Sequence, residues 1–331
     1  MTRLFYGAAF IMFVTVFSVF LYFSIKAFSI NPDTVTQAYS YPRHHIVLIP
    51  EEINNDYWRL VEKGARAAAR DFGIALEYTG PKQADQEEHL KSINMAAAAK
   101  VDGILTQGLS EEQFTPLINK VVQKGIPVMT VDTDAAKSDR ISYIGTDNYY
   151  AGILAGKALL ADTEGEIKVG IITGKFDTNH QKLRVQGFKD AIREQNRVEI
   201  IAIEASQITR IQAAEKTYKI LQEHPEINAF YGTSALDALG ISEVLEYMGK
   251  SQETYVIGFD ILPETLELLE AGKIEATVIQ QPYEMGYKSI EAMVQVLEGK
   301  AVDSINHTET RVIRQGDLPL NRNEMIEAEV Q

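Results

Sequence analysis

Apolar positions along the chain fall into two alternating kinds of segment. Short continuous runs, among them Ile46-Val-Leu-Ile-Pro50, Pro127-Val-Met-Thr-Val-Asp132, Tyr255-Val-Ile-Gly-Phe-Asp260 and Ala276-Thr-Val-Ile-Gln-Gln-Pro282, have the length and β-branched content of strands buried on both faces. Longer stretches between such runs carry helical spacing. Val61, Ala65, Ala68, Ala69 and Phe72 recur on one face, and Gly73 follows as a stop. The pattern predicts strands near 45–50, 74–79, 101–107, 127–132 and 141–147, separated by helices such as 58–72 and 86–100. A second series predicts strands near 168–174, 198–204, 228–232, 254–259 and 275–280, with helices near 180–195, 209–223, 235–248 and 283–298. This alternation is the signature of an α/β protein with two Rossmann-like, doubly wound lobes. No internal repeat, low-complexity tract or long linker divides the two series, so the lobes are expected to share the chain through several crossings.

The first segment breaks the pattern. Leu4 to Ile25 contains no charged residue and many aromatics, and its length suits a transmembrane helix of roughly 20 apolar residues better than the shorter core of a signal peptide. The expectation is an anchor over 1–28, with Arg3 and the amino terminus cytoplasmic under the positive-inside bias, followed by a polar, proline-containing spacer over 29–43. The alternative is cleavage after a small-x-small pattern at Ala27-Phe-Ser29 or Ala38-Tyr-Ser40, which would release a secreted or periplasmic protein.

Charge and composition narrow the function classes. A chain of 331 residues that is 45% hydrophobic can bury a substantial core, and a net charge of -14 with dispersed Lys and Arg argues against a nucleic-acid partner. The absence of cysteine excludes disulfides, thiolate metal sites, thiol nucleophiles and a lipid-modified cysteine.

The chemistry gathers where the apolar runs stop. In open α/β sheets ligands bind beyond the carboxyl ends of the strands, and there this sequence places Asn55, Tyr57, Trp58, Asp132, Asp260 and Gln280. An ionised carboxylate only accepts hydrogen bonds, so paired aspartates suit a ligand rich in hydroxyl donors, and aromatic rings suit the apolar face of a pyranose. Competing structural readings are strand-end caps for the aspartates, core packing for Tyr57 and Trp58, and backbone satisfaction at a crossing for Gln280. No catalytic motif survives inspection. Gly170-Ile-Ile-Thr-Gly174-Lys175 is one residue short of a phosphate loop and is followed by Phe176, no nucleophile elbow or His-Glu-x-x-His helix is present, and the histidines are scattered. The sequence reads as a binding protein without enzymatic activity, cofactor or metal.

Taken in order, Asn54-Asn-Asp-Tyr-Trp58, Val131-Asp132, Gly145-Thr-Asp-Asn148, Arg184-Val-Gln-Gly-Phe188, Gly258-Phe-Asp260 and Ala276-Thr-Val-Ile-Gln-Gln-Pro282 resemble the bacterial periplasmic sugar-binding proteins of the ribose/galactose type. The resemblance runs from about His44 to about Gln315. It implies the type I periplasmic binding protein fold, with lobes over 44–147 plus 281–308 and over 148–280 plus 309–320, closing on a hinge over a small sugar. It further implies ligand contacts at Asn55, Tyr57, Trp58, Asp132, Thr133, Asn179, Lys182, Ser234, Asp260 and Gln280. Thr133 and Lys182 stand where ribose binders carry arginine, and Thr233 or Ser234 replaces an Asn-Asp pair, while Arg184 is expected to brace its loop. The implied partner is a membrane-embedded ABC permease or a sensor histidine kinase, with a non-sugar polyhydroxylated signal such as an autoinducer as the alternative ligand.

Overall fold

The computed structural model describes residues 2–28 and 42–320, so most of the expected spacer, with Ser29 and Ala38-Tyr-Ser40 of the cleavage patterns, lies outside the described residues. The chain forms two compact units, Met1–Arg43 and His44–Gln331. Among its described residues the first forms a helix, α1 (Thr2–Phe28). Phe10, Phe13, Phe17 and Phe20 are exposed on it. Among the described residues, however, no helix is long and apolar enough to cross a membrane. The crossing expected over Leu4 to Ile25 is thus reduced to an apolar helix, α1, along which Thr15, Ser18 and Ser24 are polar.

The second unit is built from two six-stranded sheets of matching topology. The first contains β1 (His45–Ile49), β2 (Ala75–Tyr78), β3 (Gly103–Thr106), β4 (Val128–Val131) and β5 (Ser142–Gly145), interleaved with α2 (Asp56–Phe72), α3 (Gln86–Ala98) and α4 (Glu111–Gln123). The second opens with α5 (Asn148–Asp162) and continues through β6 (Ile167–Thr173), α6 (Asn179–Ile192), β7 (Val198–Ala205), α7 (Arg210–Glu223), β8 (Ala229–Gly232), α8 (Asp237–Tyr247), β9 (Tyr255–Phe259), α9 (Pro263–Glu270) and β10 (Ala276–Ile279). The chain then returns to the first sheet with α10 (Pro282–Leu297) and β11 (Ile305–His307) and ends beside the second with β12 (Arg311–Arg314). The strand orders are β11-β5-β4-β3-β1-β2 and β12-β10-β9-β8-β6-β7. All pairings are parallel except that of β12 with β10. In each sheet the order reverses beside its first strand, between β1 and β3 and between β6 and β8. Such switch points open a crevice at the strands' carboxyl ends.

Burial follows the pleat. Ile46 and Leu48 of β1 pack with α2 and α10, whereas Val47 and Ile49 pack with α3 and α4 on the opposite face. The second sheet repeats this, with Ile257 and Phe259 facing α5 and α6 and Val256 facing α7 and α8. This two-sided burial is why the strands read as unbroken apolar runs. Helix α2 begins at the N-cap Asn55 and ends at Gly73, whose φ of 66° is the left-handed stop that glycine accepts without strain. All the predicted strands are present. The sequence pattern did not single out α5, which is apolar on several faces, or the short edge strands β11 and β12, whose residues are partly exposed and are held by partners far along the chain.

Each lobe also contains one pair of closely approaching helices. A Cβ on Gly64 of α2 would collide with the carbonyl oxygen of Tyr283, and one on Gly286 of α10 with that of Val61. Gly152 of α5 and Gly187 of α6 stand in the same reciprocal relation, against the carbonyl oxygens of Arg184 and Tyr149. Alanine normally stabilises a helix interior relative to glycine by roughly 0.5–1 kcal/mol, but overpacking costs about 1–3 kcal/mol and should win here. Gly286→Ala is expected to lower the thermal midpoint by several degrees in calorimetry; an unchanged or raised midpoint would show that α2 and α10 do not pack this closely.

Candidate functional site

The carboxyl ends of both sheets line one cleft of about 870 Å³. Its walls carry equivalent groups at equivalent places. Asp132 follows β4 and Asp260 follows β9, and both have φ of 65°. The left-handed region is strained for most residues but tolerated by aspartate, and strain of this kind gathers at functional sites. Each aspartate's N–H donates to the neighbouring strand, Asp132 to the Ile144 carbonyl at 3.0 Å and Asp260 to the Val278 carbonyl at 2.8 Å. A side-chain hydroxyl holds each carbonyl in turn, Tyr143 on Asp132 and Thr277 on Asp260, both at 2.8 Å. Ile208, a β-branched residue at φ 55°, also borders the cleft.

The two carboxylates differ in their surroundings. Asp132 accepts from the Tyr57 hydroxyl at 2.7 Å, from Gln107 Nε2 at 3.0 Å and from Thr133 Oγ1 at 2.9 Å. Burial, helped by Asp132 and Asp260, holds the Tyr57 hydroxyl protonated and hence a donor. Asp260 is half-buried. The water it loses there pushes its pKa up to about 6, against the opposing pull of Arg184 and a hydrogen bond from Gln280, with Asp132 adding a smaller upward push. Gln280 Oε1 accepts from Thr146 Oγ1 at 2.7 Å, so it ties two of the interlobe crossings together while also serving Asp260.

Arg184 braces the second lobe. Its Nε donates to Asn148 Oδ1 and its Nη1 to the Thr233 carbonyl, both at 2.8 Å, and the guanidinium lies 3.5 Å from the centre of the Phe259 ring. Thr233 is turned inward, bonded to Thr173 Oγ1 at 3.0 Å and to Gln181. Ser234 lines the cleft, and its hydroxyl is buried with no protein partner. Of the two hydroxyls left open by the sequence, Ser234 is the one on the cleft wall. A buried hydroxyl without a partner normally costs free energy, so it is poised for one supplied by a ligand.

Among the ten residues named from the sequence, Asn55, Tyr57, Trp58, Asp132, Ser234, Asp260 and Gln280 line this cleft. Asn55 Oδ1 is taken up by the cap of α2, accepting from the N–H groups of Tyr57 at 3.0 Å and Trp58 at 3.4 Å. Trp58 serves both readings: it packs in the core of the first lobe, edge-on to Tyr57, and also borders the cleft. Thr133 is buried just behind, positioning Asp132 and standing 3.4 Å from His180 Nδ1. Asn179 and Lys182 lie off this cleft. Asn179 is exposed at the start of α6, and Lys182 lies one helical turn on, beside a separate cavity of about 280 Å³, with its Nζ on the Asp177 carbonyl. Helical geometry turns His180 and Gln181 toward the cleft instead. Burial, with Arg184 nearby, pushes His180 down to about 4, so it is neutral at physiological pH.

Sequence reading missed Glu51, Gln107, Lys175 and Gln181 on the cleft wall. Gln107 had a usable signal, because it follows the apolar run of β3 just as Asp132 follows β4. Among the described residues no cluster of His, Asp and Glu has the arrangement to hold a metal ion.

Residues 46–301 match the family model for the periplasmic binding protein domain. The chain belongs to that family. It is similar to the ribose import binding protein RbsB of Escherichia coli (strain K12), with 26% identity over 259 residues, covering 78% of this chain and 86% of the relative. The crystal structure of GanP, a glucose-galactose binding protein from Geobacillus stearothermophilus, has 59% identity and a TM-score of 0.82, covering 84% of this chain and 99% of that one. A structure of the XylFII-LytSN complex shows 36% identity and a TM-score of 0.78, covering 83% and 99%. The resemblance read from the motifs therefore holds, and the chain is a member of a family of binding proteins rather than an enzyme.

A carboxyl whose pKa is raised by burial makes its ionisation unfavourable to folding. Stability should therefore be fully present below about pH 3.8, fall as pH rises through about 6 and level off above, where the cost amounts to up to about 3 kcal/mol. Asp260→Asn is expected to raise the thermal midpoint of the unliganded protein at pH 7 and to remove that part of the pH dependence; equal midpoints for the two proteins across this range would show that Asp260 is solvated.

Proposed function

We propose that this protein is an extracytoplasmic receptor that closes over a small neutral sugar and presents the closed form to a membrane partner. The observation that carries the reading is the matched pair of aspartates, one per lobe, each set at a strand end in the same unusual backbone conformation and both lining one cleft. Hydroxyls that bridge Asp132 and Asp260 bind the closed arrangement better than the open one, so ligand shifts the population toward closure. Asn55, Tyr57, Trp58, Ser234 and Gln280 complete the contacts. The lobe bounds, 44–147 plus 281–308 and 148–280 plus 309–320, belong to the same proposal, with the crossings near 145–148, 280–282 and 307–311 as the hinge.

Similarity to GanP, a glucose-galactose binding protein, supports a hexose as ligand. For the partner, two readings have support. Similarity to RbsB, a ribose import binding protein, supports delivery to an ABC permease. Similarity to XylFII, solved in complex with LytSN, supports a sensory partner such as a histidine kinase, and its higher identity makes that the preferred reading.

Titration calorimetry with D-glucose, D-galactose, D-ribose and D-allose tests the ligand. At least one sugar should bind, and Asp132→Ala or Asp260→Ala should weaken that binding by about 10- to 100-fold, as expected for a lost charge-assisted hydrogen bond. Wild-type affinity in both variants would refute the site. Because sugar hydroxyls favour the ionised carboxylate, affinity should also rise with pH through about 6 and then level off. A pH-independent profile over that interval would remove Asp260 from ligand contact.

A further inference from the structure

Both walls of the cleft are acidic. Glu51 and Asp132 stand on the first lobe and Asp260 on the second, so closing the lobes brings carboxylates together as water is removed. The guanidinium of Arg184 is committed within its own lobe, to Asn148, Thr233 and Phe259. Lys175 is placed differently. It lies on the loop joining β6 to α6, and its Nζ reaches across to Glu51 Oε1 at 3.6 Å, with both side chains only partly exposed. From the same loop's end, His180 meets Thr133 of the opposite lobe, but as a neutral ring it brings no charge.

Glu51 is not an isolated rim residue. Its N–H donates to Gln107 Oε1 at 2.8 Å, and Gln107 Nε2 donates to Asp132 Oδ2 at 3.0 Å. The cation of one lobe thus ends a hydrogen-bonded row that leads to the ligand carboxylate of the other. Burial and the nearby Asp132 push Glu51 up while Lys175 pulls it down, which fits a carboxylate whose closed-state environment depends on that one lysine.

We propose that Lys175 is the cross-lobe counter-ion of the cleft: its pairing with Glu51 forms on closure, sets the fraction of unliganded protein that is closed, and so determines affinity without touching the sugar. The inference rests on the hinge-closing receptor reading given above. A ligand that binds only the closed form loses apparent affinity in proportion to any loss of that form. The pair also has an asymmetry. Removing Lys175 leaves the carboxylates of Glu51 and Asp132 facing closure uncompensated, whereas neutralising Glu51 removes attraction and repulsion together.

The test uses single-molecule energy transfer between one engineered cysteine in each lobe, which the cysteine-free sequence makes unique, together with calorimetry using D-galactose. Without sugar, Lys175→Met should lower the closed-to-open ratio by about fivefold, the upper range for a partly exposed ion pair, and weaken D-galactose binding by the same factor. Lys175→Arg should restore closure, and Lys175→Met combined with Glu51→Gln should recover most of the loss. Raising salt from about 0.05 M to about 1 M should reduce wild-type closure and leave Lys175→Met unchanged. A closed fraction and salt profile in Lys175→Met equal to those of wild type, or a double variant that adds the two single effects, would overturn the proposal. If Lys175 controls closure in protein that binds none of the sugars tested, the ion-pair inference stands and the sugar reading falls.

Discussion

Two carboxylates held in a cleft, one from each lobe and partly withdrawn from water, set the terms for the rest of this structure. Burying a charge is costly unless it is paired or hydrogen-bonded, and each lobe meets that cost differently. The first surrounds Asp132 with neutral donors from Tyr57, Gln107 and Thr133. The second leaves Asp260 less fully served, with Gln280 donating to it and Arg184 nearby, and its pKa rises accordingly. In the proposed reading a ligand bringing hydroxyl donors supplies what Asp260 lacks, and the unpartnered hydroxyl of Ser234, on the wall of the same cleft, takes up another of its groups. The unliganded site is therefore costly to maintain, and that cost can be recovered on binding.

The fold makes this arrangement reproducible. Both sheets have the same strand order, and both present their switch point to the same cleft. The reciprocal glycines that seat α2 on α10 and α5 on α6 repeat the correspondence. Because α10 follows β10 but packs on the first lobe, Gln280 stands both on the cleft wall and at a crossing between the lobes. In the proposed mechanism ligand contact and lobe motion therefore share residues.

Much of this was legible in the sequence because parallel strands buried on both faces leave a strong mark. The runs ending at Asp132 and Asp260 located both the sheets and their functional ends. Legibility failed where structure depends on distant partners. Strands β11 and β12 are short and partly exposed, and exist because β5 and β10 offer free edges. Asn179 and Lys182 were assigned to the cleft by motif position, but the start of α6 rotates them outward and turns His180 and Gln181 in, a rotation that linear spacing does not encode. Lys175 and Glu51 lie in loops and meet only across the cleft, so no local pattern could have joined them. The apolar N-terminal segment forms the expected helix, but the residues described there do not make a membrane crossing.

The most direct test of the account is a crystal structure of the protein with a bound hexose. The account predicts one sugar enclosed between the lobes, with hydroxyl oxygens within about 3 Å of both Asp132 and Asp260 and one reaching Ser234. A sugar held by a single lobe, or bound outside the cleft while the two aspartates remain without ligand contact, would contradict it.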